Sequence, residues 1–484
     1  MALEHFDVLI VGAGISGIGA ACHLQKNCPR KTYLIVEGRE ALGGTWDLFR
    51  YPGIRSDSDM YTLGYDFKPW THPKAIADAP HILDYLKETV AEHQLEPHIR
   101  YGHKVVSASW STSEARWQVE IAPMDGGENT VISCNFLHMC SGYYNYEHGY
   151  TPQFEGTERF SGQIIHPQFW PEDLDYAGKR VVVIGSGATA VTLVPALAKT
   201  AAHVTMLQRS PTYVVSRPAE DRFANKLREI LPGKLAYFLV RWRNILFQRF
   251  IYERCRKYPQ QAKKRIIDMV RDEMGPEYDV DTHFTPKYNP WDQRLCLVPD
   301  GDMFKAIREG RASVVTDHID CFTRNGLRLK SGEELQADLI VTATGLEMQF
   351  LSDVKFTIDG EKLEPHSALS YKGMMVSGVP NMAFAAGYTN ASWTLKCDLT
   401  CDYVCRLLNH MERHGYRICC PTNKDPQLEV EPYMSLSAGY IQRAQDRFPL
   451  QGSHAPWKLY QNYVKDIFAL RFGRLADGVM DFSS

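Results

Sequence analysis

The stretch FDVLIVGAGISG, residues 6–17, decides the fold. Its first half, Phe6 to Val11, is a short apolar run that predicts a buried strand, and the small side chains of residues 15–27 predict a helix. A second strand is predicted at Tyr33 to Val36. Strand, glycine-rich turn, helix and strand in this order indicate a βαβ unit with a parallel sheet.

The turn of this unit carries the pattern G-x-G-x-x-G at Gly12, Gly14 and Gly17. Its glycines allow a tight turn, a close approach of the backbone to a pyrophosphate, and close packing of helix on strand. The phosphates would lie at the positive helix N-terminus, beside Ser16. Glu37 follows Gly17 by 20 residues, where a carboxylate accepts hydrogen bonds from a ribose 2′-hydroxyl. The unit is therefore predicted to bind a dinucleotide with a free 2′-hydroxyl.

The same unit returns in the middle of the chain. Val181 to Ile184 predicts a strand, and a helix to about Lys199 and a strand at His203 to Gln208 follow. The turn between them contains Gly185, Ser186, Gly187, Ala188, Thr189 and Ala190, which match G-x-G-x-x-A.

The second unit differs from the first at the position of the acidic residue. Arg209, followed by Ser210, stands there. Arginine pairs with a 2′-phosphate, whereas a carboxylate repels it. The second unit is therefore predicted to bind NADP. Two dinucleotide units in one chain imply hydride transfer between two cofactors, and FAD with NADPH is the simplest pair.

The composition is that of an ordinary globular protein. The 484 residues are 44% hydrophobic and 23% charged, with a net charge of −3. A nucleic-acid partner is not expected, because that would require a basic excess. The N-terminus lacks the features of a signal peptide, and the 12 cysteines are interpreted as reduced thiols of a cytoplasmic protein. Cys397, Cys401 and Cys405 share one helix face and are interpreted as packing residues, with no metal site.

Residues 216–289 are rich in arginine and lysine and are predicted to be a helical insertion. One apolar stripe of a predicted helix is formed by Leu235, Phe238, Leu239, Trp242, Ile245 and Leu246, and Arg241, Arg243 and Arg249 flank it. We favour a helix that caps a domain or lines a cleft. A weak peripheral contact with a membrane is the alternative.

The predicted fold is α/β, with two Rossmann-like dinucleotide-binding domains and this insertion. Asp338 to Gly345 reads as a third buried strand that ends in a small-residue turn. We assign residues 1–145 and 345–484 to the FAD domain and residues 152–215 and 290–344 to the NADP domain.

Two longer patterns carry a resemblance to a known family. Phe160, Gly162, His166 and Trp170 fit F-x-G-x-x-x-H-x-x-x-W-P, and residues 43–57 fit G-x-W-x-x-x-x-Y-P-G-x-x-x-D. With the turn Ala343-Thr344-Gly345, they make the chain resemble the Baeyer–Villiger monooxygenases over nearly its whole length. The related flavin-containing monooxygenases usually carry Tyr-Lys where this chain has Trp170-Pro171.

The resemblance implies roles for individual residues. FAD would contact Ser16, Glu37, Gly44, Thr45, Trp46, Asp47, Leu48, Asp57 and the backbone of Val105. NADPH would contact Arg55, Ser56, Gly185, Ser186, Gly187, Ala188, Thr189, Arg209 and Ser210. Arg294 would be the active-site arginine, and Asp57 would hold it in place. His166 and Trp170 are interpreted as a linker that couples the domain positions.

Two positions depart from the pattern of the family. Gln293 replaces a lysine of the usual Lys-Arg pair, so Arg209 must contribute more of the preference for NADPH. Ser56 stands where many relatives have cysteine, and little effect is expected.

The implied activity is an FAD-dependent, NADPH-consuming oxygenation. One oxygen of O2 would be inserted next to a ketone carbonyl through a C4a-peroxyflavin, giving an ester, with sulfoxidation of thioethers as a side activity. An N- or S-oxygenating flavin-containing monooxygenase is the first alternative, against which Trp170-Pro171 and Arg294 argue. A disulfide reductase would need a redox cysteine pair, and no Cys-x-x-Cys occurs. A non-enzymatic flavin-binding redox partner is the third alternative, and the oligomeric state is left open.

Overall fold

A large mixed sheet forms one half of the protein, whose computed structural model describes residues 3–434 and 436–484. Eight strands of this sheet lie side by side, and a ninth, Met382–Phe384, also pairs with Thr130–Met139. In spatial order the eight are Glu361–Lys362, Lys355–Ile358, His103–Ser111, Arg116–Pro123, Thr130–Met139, Glu4–Val11, Tyr33–Val36 and Ile99–Arg100. Residues 1, 2 and 435 of the predicted FAD domain lie outside the described residues.

A smaller, fully parallel sheet forms the other half. Its spatial order is Ala312–Thr316, His203–Gln208, Arg180–Ile184, Leu339–Thr342 and Gln163–Ile165. The two βαβ units and the third buried strand are thereby confirmed, and the strands of each sheet come from the two segments assigned to one domain. The domain boundaries themselves stay a prediction.

Several short sheets of two or three strands accompany the two large sheets. They pair Tyr144–Gly149 with Leu346–Met348, Val214–Arg217 with Cys296–Pro299, Ser370–Tyr371 with Met375–Val376, Ile418–Pro421 with Met480–Ser483, and Val430–Pro432 with Leu450–Gly452. A three-stranded sheet joins Ile319–Thr323, Gly326–Leu329 and Glu334–Gln336.

Helices cover the sheets and form the insertion. They are α1 Ile15–Asn27, α2 Thr45–Leu48, α3 Met60–Leu63, α4 Ala79–Glu92, α5 Ala188–Leu197, α6 Arg222–Ile230, α7 Gly233–Lys257, α8 Pro259–Met274, α9 Val280–Phe284, α10 Asp302–Arg308, α11 Trp393–His414, α12 Gly439–Ala444 and α13 Tyr463–Asp466. A π-helical segment, Ile467–Phe472, continues α13. Among the described residues, no helix has both the length and the apolarity needed to cross a membrane.

Steric limits explain the glycines of the two turns. Gly12 has φ +103°, and a Cβ there would lie 2.7 Å from the Cys140 carbonyl oxygen. Gly185 has φ +138°, and its Cβ would lie 2.3 Å from the Ala343 oxygen. Any other residue would strain the backbone and clash with the neighbouring strand end. Both turns are therefore pressed against the strand beside them, as the βαβ pattern requires.

The prediction of a helical insertion is confirmed by α6 to α9, but the preferred place of its apolar stripe is wrong. Leu235, Phe238, Leu239 and Leu246 are exposed, and of the predicted stripe only Ile245 is buried. The buried face of α7 instead contains Ala236, Tyr237, Val240 and Arg241. The stripe therefore does not cap a domain or line a cleft within this chain.

Arg241 explains why the other face of α7 is buried. Its Nη1 donates to the carbonyl oxygens of Tyr61 at 2.8 Å and Gly64 at 2.7 Å, and its Nη2 lies 3.3 Å from Asp398 Oδ2. The side chain is only 5% exposed. Three partners thus fix the guanidinium where it is shielded from water, and they fix the rotation of α7 with it.

The same carboxylate joins α1 to α11. Asp398 Oδ1 lies 3.5 Å from His23 Nε2, and Asp402 lies 3.1 Å from His23 Nδ1. Burial disfavours the charged imidazole, but these two carboxylates outweigh it and raise the pKa of His23 to about 10. The stabilisation is complete below the pKa of an unfolded histidine, about 6.5, and is lost as the pH rises towards 10.

Replacing Arg241 with methionine should strongly destabilise the protein. Arg241→Met leaves Asp398 buried without this cation, and we expect the free energy of unfolding to fall by about 3–5 kcal/mol. The matched control is Arg249→Met, because Arg249 pairs with Glu253 on the exposed side of α7; its expected change is below about 1 kcal/mol. Thermal unfolding followed by circular dichroism measures both, and equal melting temperatures would contradict this account.

Candidate nucleotide and active site

Both glycine turns line one cavity of about 1080 Å³. The first unit contributes Gly12, Gly14, Ser16, Glu37, Gly44, Thr45, Trp46 and Val105 to its wall, and the second contributes Gly185, Ser186, Gly187, Ala188, Thr189, Arg209 and Ser210. In sheets of this kind, ligands bind beyond the carboxyl ends of the strands. The ends of both central strands therefore open onto the same space.

Glu37 fixes the first glycine turn. Its Oε2 accepts a hydrogen bond from the Ala13 amide at 2.7 Å, and its Oε1 accepts one from the Arg39 amide at 2.9 Å. Burial raises the pKa of Glu37, and the two backbone hydrogen bonds oppose that shift. Each carboxylate oxygen can accept a second hydrogen bond. The geometry thus leaves acceptors for a ribose hydroxyl.

The N-terminus of α1 faces the cavity at the first glycine turn. α1 begins at Ile15, and no side chain caps it. Ser16 Oγ accepts a hydrogen bond from Trp393 Nε1 at 2.8 Å, and the Trp393 ring stacks on Tyr143 with the centroids 4.8 Å apart. An uncapped helix N-terminus favours an anionic group. This end of the cavity therefore fits a pyrophosphate.

The loop of α2 is only partly on the wall. Thr45 and Trp46 line the cavity, whereas Gly17, Asp47 and Leu48 are not among its lining residues. The Asp47 carboxylate is paired with Arg39 and lies 3.3 Å from Arg50 Nη2. The role of Asp47 seen in this structure is to anchor the loop beside the first glycine turn.

The second glycine turn has a free cation beside it and open space for a ligand. Arg209 and Ser210 are exposed at the end of the strand His203–Gln208, and among the described residues Arg209 forms no salt bridge. Ser186 Oγ lies 3.1 Å from Thr212 Oγ1 and donates to the Ser210 carbonyl at 3.2 Å. A Cβ added at Gly187 would meet nothing within 4 Å. This end fits a phosphorylated ribose beside an unpaired guanidinium.

Arg55 and Ser56 lie on the wall, but their polar atoms already have protein partners. Arg55 Nη1 donates to Asp302 Oδ2 at 2.6 Å. Ser56 Oγ donates to the Ser58 carbonyl oxygen at 2.8 Å. Both residues therefore stiffen the loop that leads to Asp57.

Arg294 and Asp57 lie next to each other on the wall of the cavity. Arg294 Nη1 lies 3.5 Å from Asp57 Oδ2, and the Nε of Arg294 is shielded from solvent without a hydrogen-bond partner among the described residues. Burial opposes the charge, but Tyr143 and Asp57 outweigh it and raise the pKa of Arg294. The guanidinium stays protonated and has a donor to spare.

The fingerprint residues lie elsewhere. Phe160, Gly162, His166 and Trp170 are not among the residues that line the cavity. His166 Nδ1 accepts from the Gln168 amide at 3.2 Å, so its Nε2 donates to the Gly345 carbonyl oxygen at 3.0 Å. Burial lowers the pKa of His166 and favours this neutral ring. These contacts join the fingerprint to the turn after the third strand, so they fit a linker role, which stays a prediction.

Sequence reasoning missed the aromatic part of the wall. Tyr143, Tyr144, Tyr440 and Trp393 line the cavity with Arg294. The hydroxyl groups of Tyr143 and Tyr144 lie 2.9 Å apart. The sequence did offer one signal for two of them. Two consecutive tyrosines follow the apolar run that ends at Cys140, and residues just after a strand lie at the edge of the sheet where ligands bind. Nothing in the sequence around Tyr440 marked it.

Comparisons with known proteins identify the family of the chain. The family described as Flavin-binding monooxygenase-like matches residues 56–276, and the NAD(P)-binding Rossmann-like domain matches residues 10–88. The FAD-containing monooxygenase EthA of Mycobacterium tuberculosis is 55% identical over 481 residues, which cover 99% of this chain and 98% of EthA. EthA of Mycolicibacterium smegmatis is 52% identical, with 99% and 97% covered.

Solved structures show the same fold at lower identity. An oxidized steroid monooxygenase bound to NADP superimposes with a TM-score of 0.75 at 22% identity, over 99% of this chain and 100% of the other. The open form of cyclohexanone monooxygenase gives 0.76 at 21% identity, with the same shares covered. The fold with two dinucleotide units is therefore confirmed. Together with the full-length identity to EthA, it establishes that this chain belongs to the FAD-containing monooxygenases.

Proposed function

We propose that this monooxygenase is of the Baeyer–Villiger type and converts a small ketone into an ester with NADPH and O2. The observation that supports this proposal is the charged Arg294, held by Asp57 in the wall of the cavity that both glycine turns share. The steroid and cyclohexanone monooxygenases with the same fold add weight, the first having been solved with NADP.

We assign FAD to residues 1–145 and 345–484. Glu37 would bind the ribose hydroxyl, and the N-terminus of α1 with Ser16 would receive the pyrophosphate. Thr45, Trp46 and the Val105 backbone line the same end. When bound and reduced, FAD supplies the activation of O2. The protein positions the cofactors and the substrate, supplies charged groups and keeps water away from the reacting atoms.

We assign NADPH to residues 152–215 and 290–344. Arg209 and Ser210 would bind the 2′-phosphate, since the exposed guanidinium can pair with it without first losing a carboxylate partner. Gln293 lines the wall next to Arg294 and offers an amide in place of a second cation. Most of the discrimination against NADH therefore falls to Arg209.

The chemical role of Arg294 follows from its charge and its free donor. Negative charge develops on the substrate carbonyl oxygen when the carbonyl carbon is attacked. A fixed guanidinium in a site walled by Tyr143, Tyr144 and Tyr440 stabilises that charge more than water does. Asp57 orients the guanidinium across the boundary between the two units. A thioether in the same place would yield a sulfoxide as a side product.

Product analysis tests the proposal. The purified protein is incubated with NADPH, a linear ketone such as 2-octanone and isotopically labelled O2, and products are identified by gas chromatography–mass spectrometry. We expect an ester that carries one labelled oxygen. If linear, cyclic and aromatic ketones all yield only peroxide while a thioether yields a sulfoxide, the protein is a heteroatom oxygenase and the proposal is wrong.

Arg294→Ala should separate oxygenation from NADPH oxidation. Loss of a charged donor at a developing oxyanion costs on the order of 3 kcal/mol, so ester formation should fall by about a hundredfold or more. Flavin content and NADPH oxidation should persist, because neither needs this charge on the substrate. Arg308→Ala is the control, since Arg308 pairs with Glu273 away from the cavity wall. Undiminished ester formation in Arg294→Ala would remove Arg294 from the catalytic residues.

Arg209→Ala should weaken the preference for NADPH over NADH. A charge-assisted pair with phosphate contributes about 1.5–3 kcal/mol, so KM for NADPH should rise by roughly tenfold or more while KM for NADH stays unchanged. The control is Arg180→Ala, because Arg180 pairs with Asp338 on the exposed surface. Equal rises of both KM values would show that Arg209 supports the fold rather than the phosphate.

A further inference from the structure

The outer face of the α6–α7 hairpin, residues 222–257, is unusually apolar for a surface. Its large side chains include Phe238, Leu246 and Phe250, which are 55%, 52% and 58% exposed. The remaining exposed apolar residues of the hairpin are Phe223, Ile230, Leu235, Leu239 and Phe247. Contiguous apolar surface of this kind marks an interaction site.

Helical geometry places most of these residues on one side. Leu235, Phe238, Leu239, Leu246 and Phe250 recur at the spacing of one face of α7, opposite the buried face that contains Arg241. Exposed apolar residues scattered over a surface would show no such period. We call this side the outer face of α7.

The C-terminal helical segment adds two further aromatic residues. Phe468 and Phe472 are 66% and 72% exposed, and their rings lie 6.2 Å apart. This segment continues α13, whose first residue, Tyr463, packs against Trp242 of α7 with the ring centroids 6.1 Å apart. Through this contact, the segment that carries Phe468 and Phe472 is attached to α7, which carries the other exposed apolar residues.

The charge of the hairpin restricts the partner. Residues 222–257 contain ten lysines and arginines but two acidic residues, in a chain with a net charge of −3. Among the cations, Lys226, Lys234, Arg254 and Lys257 are exposed. The partner must therefore be both apolar and negatively charged.

We propose that the outer face of α7 docks on an anionic lipid bilayer. A bilayer offers hydrocarbon for the phenylalanines and phosphate headgroups for the surrounding cations. A second copy of the chain fits less well, because a symmetric interface would place the two basic hairpins against each other.

The inner face of α7 connects this surface to the loop that carries Asp57. Asn244 Nδ2 and Gln248 Nε2 donate to the Asp59 carboxylate at 2.9 and 2.8 Å. The lipid-facing side would then be separated from that loop by about one helix diameter, roughly 10 Å. Docking is a binding event, so its test does not depend on the proposed reaction.

Vesicle co-sedimentation of the flavin-loaded protein tests the inference. We expect the protein to pellet with vesicles of phosphatidylcholine and phosphatidylglycerol and to pellet much less with phosphatidylcholine alone. The combined variant Phe238→Ser, Leu246→Ser and Phe250→Ser removes about three apolar side chains from the contact and should lower partitioning by more than about tenfold. Arg254→Gln with Lys257→Gln should weaken binding severalfold and reduce its salt dependence.

The matched control carries three serines at exposed apolar positions elsewhere: Leu3→Ser, Val131→Ser and Val430→Ser. It should pellet like the unchanged protein, and flavin content and melting temperature show that every variant is folded. The inference is overturned if the protein does not pellet with anionic vesicles, or if the α7 variant pellets equally well. It is also overturned if sedimentation velocity shows a dimer that the α7 variant abolishes without any vesicle binding.

Discussion

Hydride transfer between two dinucleotides requires that both reach one space, and this constraint organises the protein. Reacting atoms must approach to about 3–3.5 Å, which two separate clefts could not provide. Gly12 and Gly185 each press against the end of a neighbouring strand, so that both turns open on the shared cavity. The contact of Arg294 with Asp57 then joins the two units in the wall of that cavity.

The helical insertion is part of that arrangement rather than an appendage. Arg241 donates to the carbonyl oxygens of Tyr61 and Gly64, and Asn244 and Gln248 donate to Asp59. These contacts fasten one face of α7 to the segment that follows Asp57. The outer face of α7 is exposed, so any partner that covers its apolar side chains must come from outside the chain.

Local chemistry made the two nucleotide units predictable from sequence. A glycine turn must follow a strand and open a helix, and the residue after the next strand indicates whether a free 2′-hydroxyl or a 2′-phosphate is expected, as with Glu37 and Arg209. The positions of Tyr440 and Trp393 were not predictable, because residues so distant in sequence meet only through the tertiary fold. The apolar period of α7 was read correctly, but a period does not tell which medium covers it. Only the buried partners of Arg241 reveal the rotation of the helix.

Anaerobic reduction tests the shared cavity most directly. The flavin-loaded protein is mixed with NADPH in the absence of O2, and the loss of the yellow flavin absorbance is followed with unlabelled NADPH and with NADPH deuterated at the transferred position. The account predicts rapid bleaching that slows on deuteration, since hydride passes between two cofactors bound in one space. Flavin that stays oxidised under saturating NADPH would contradict it.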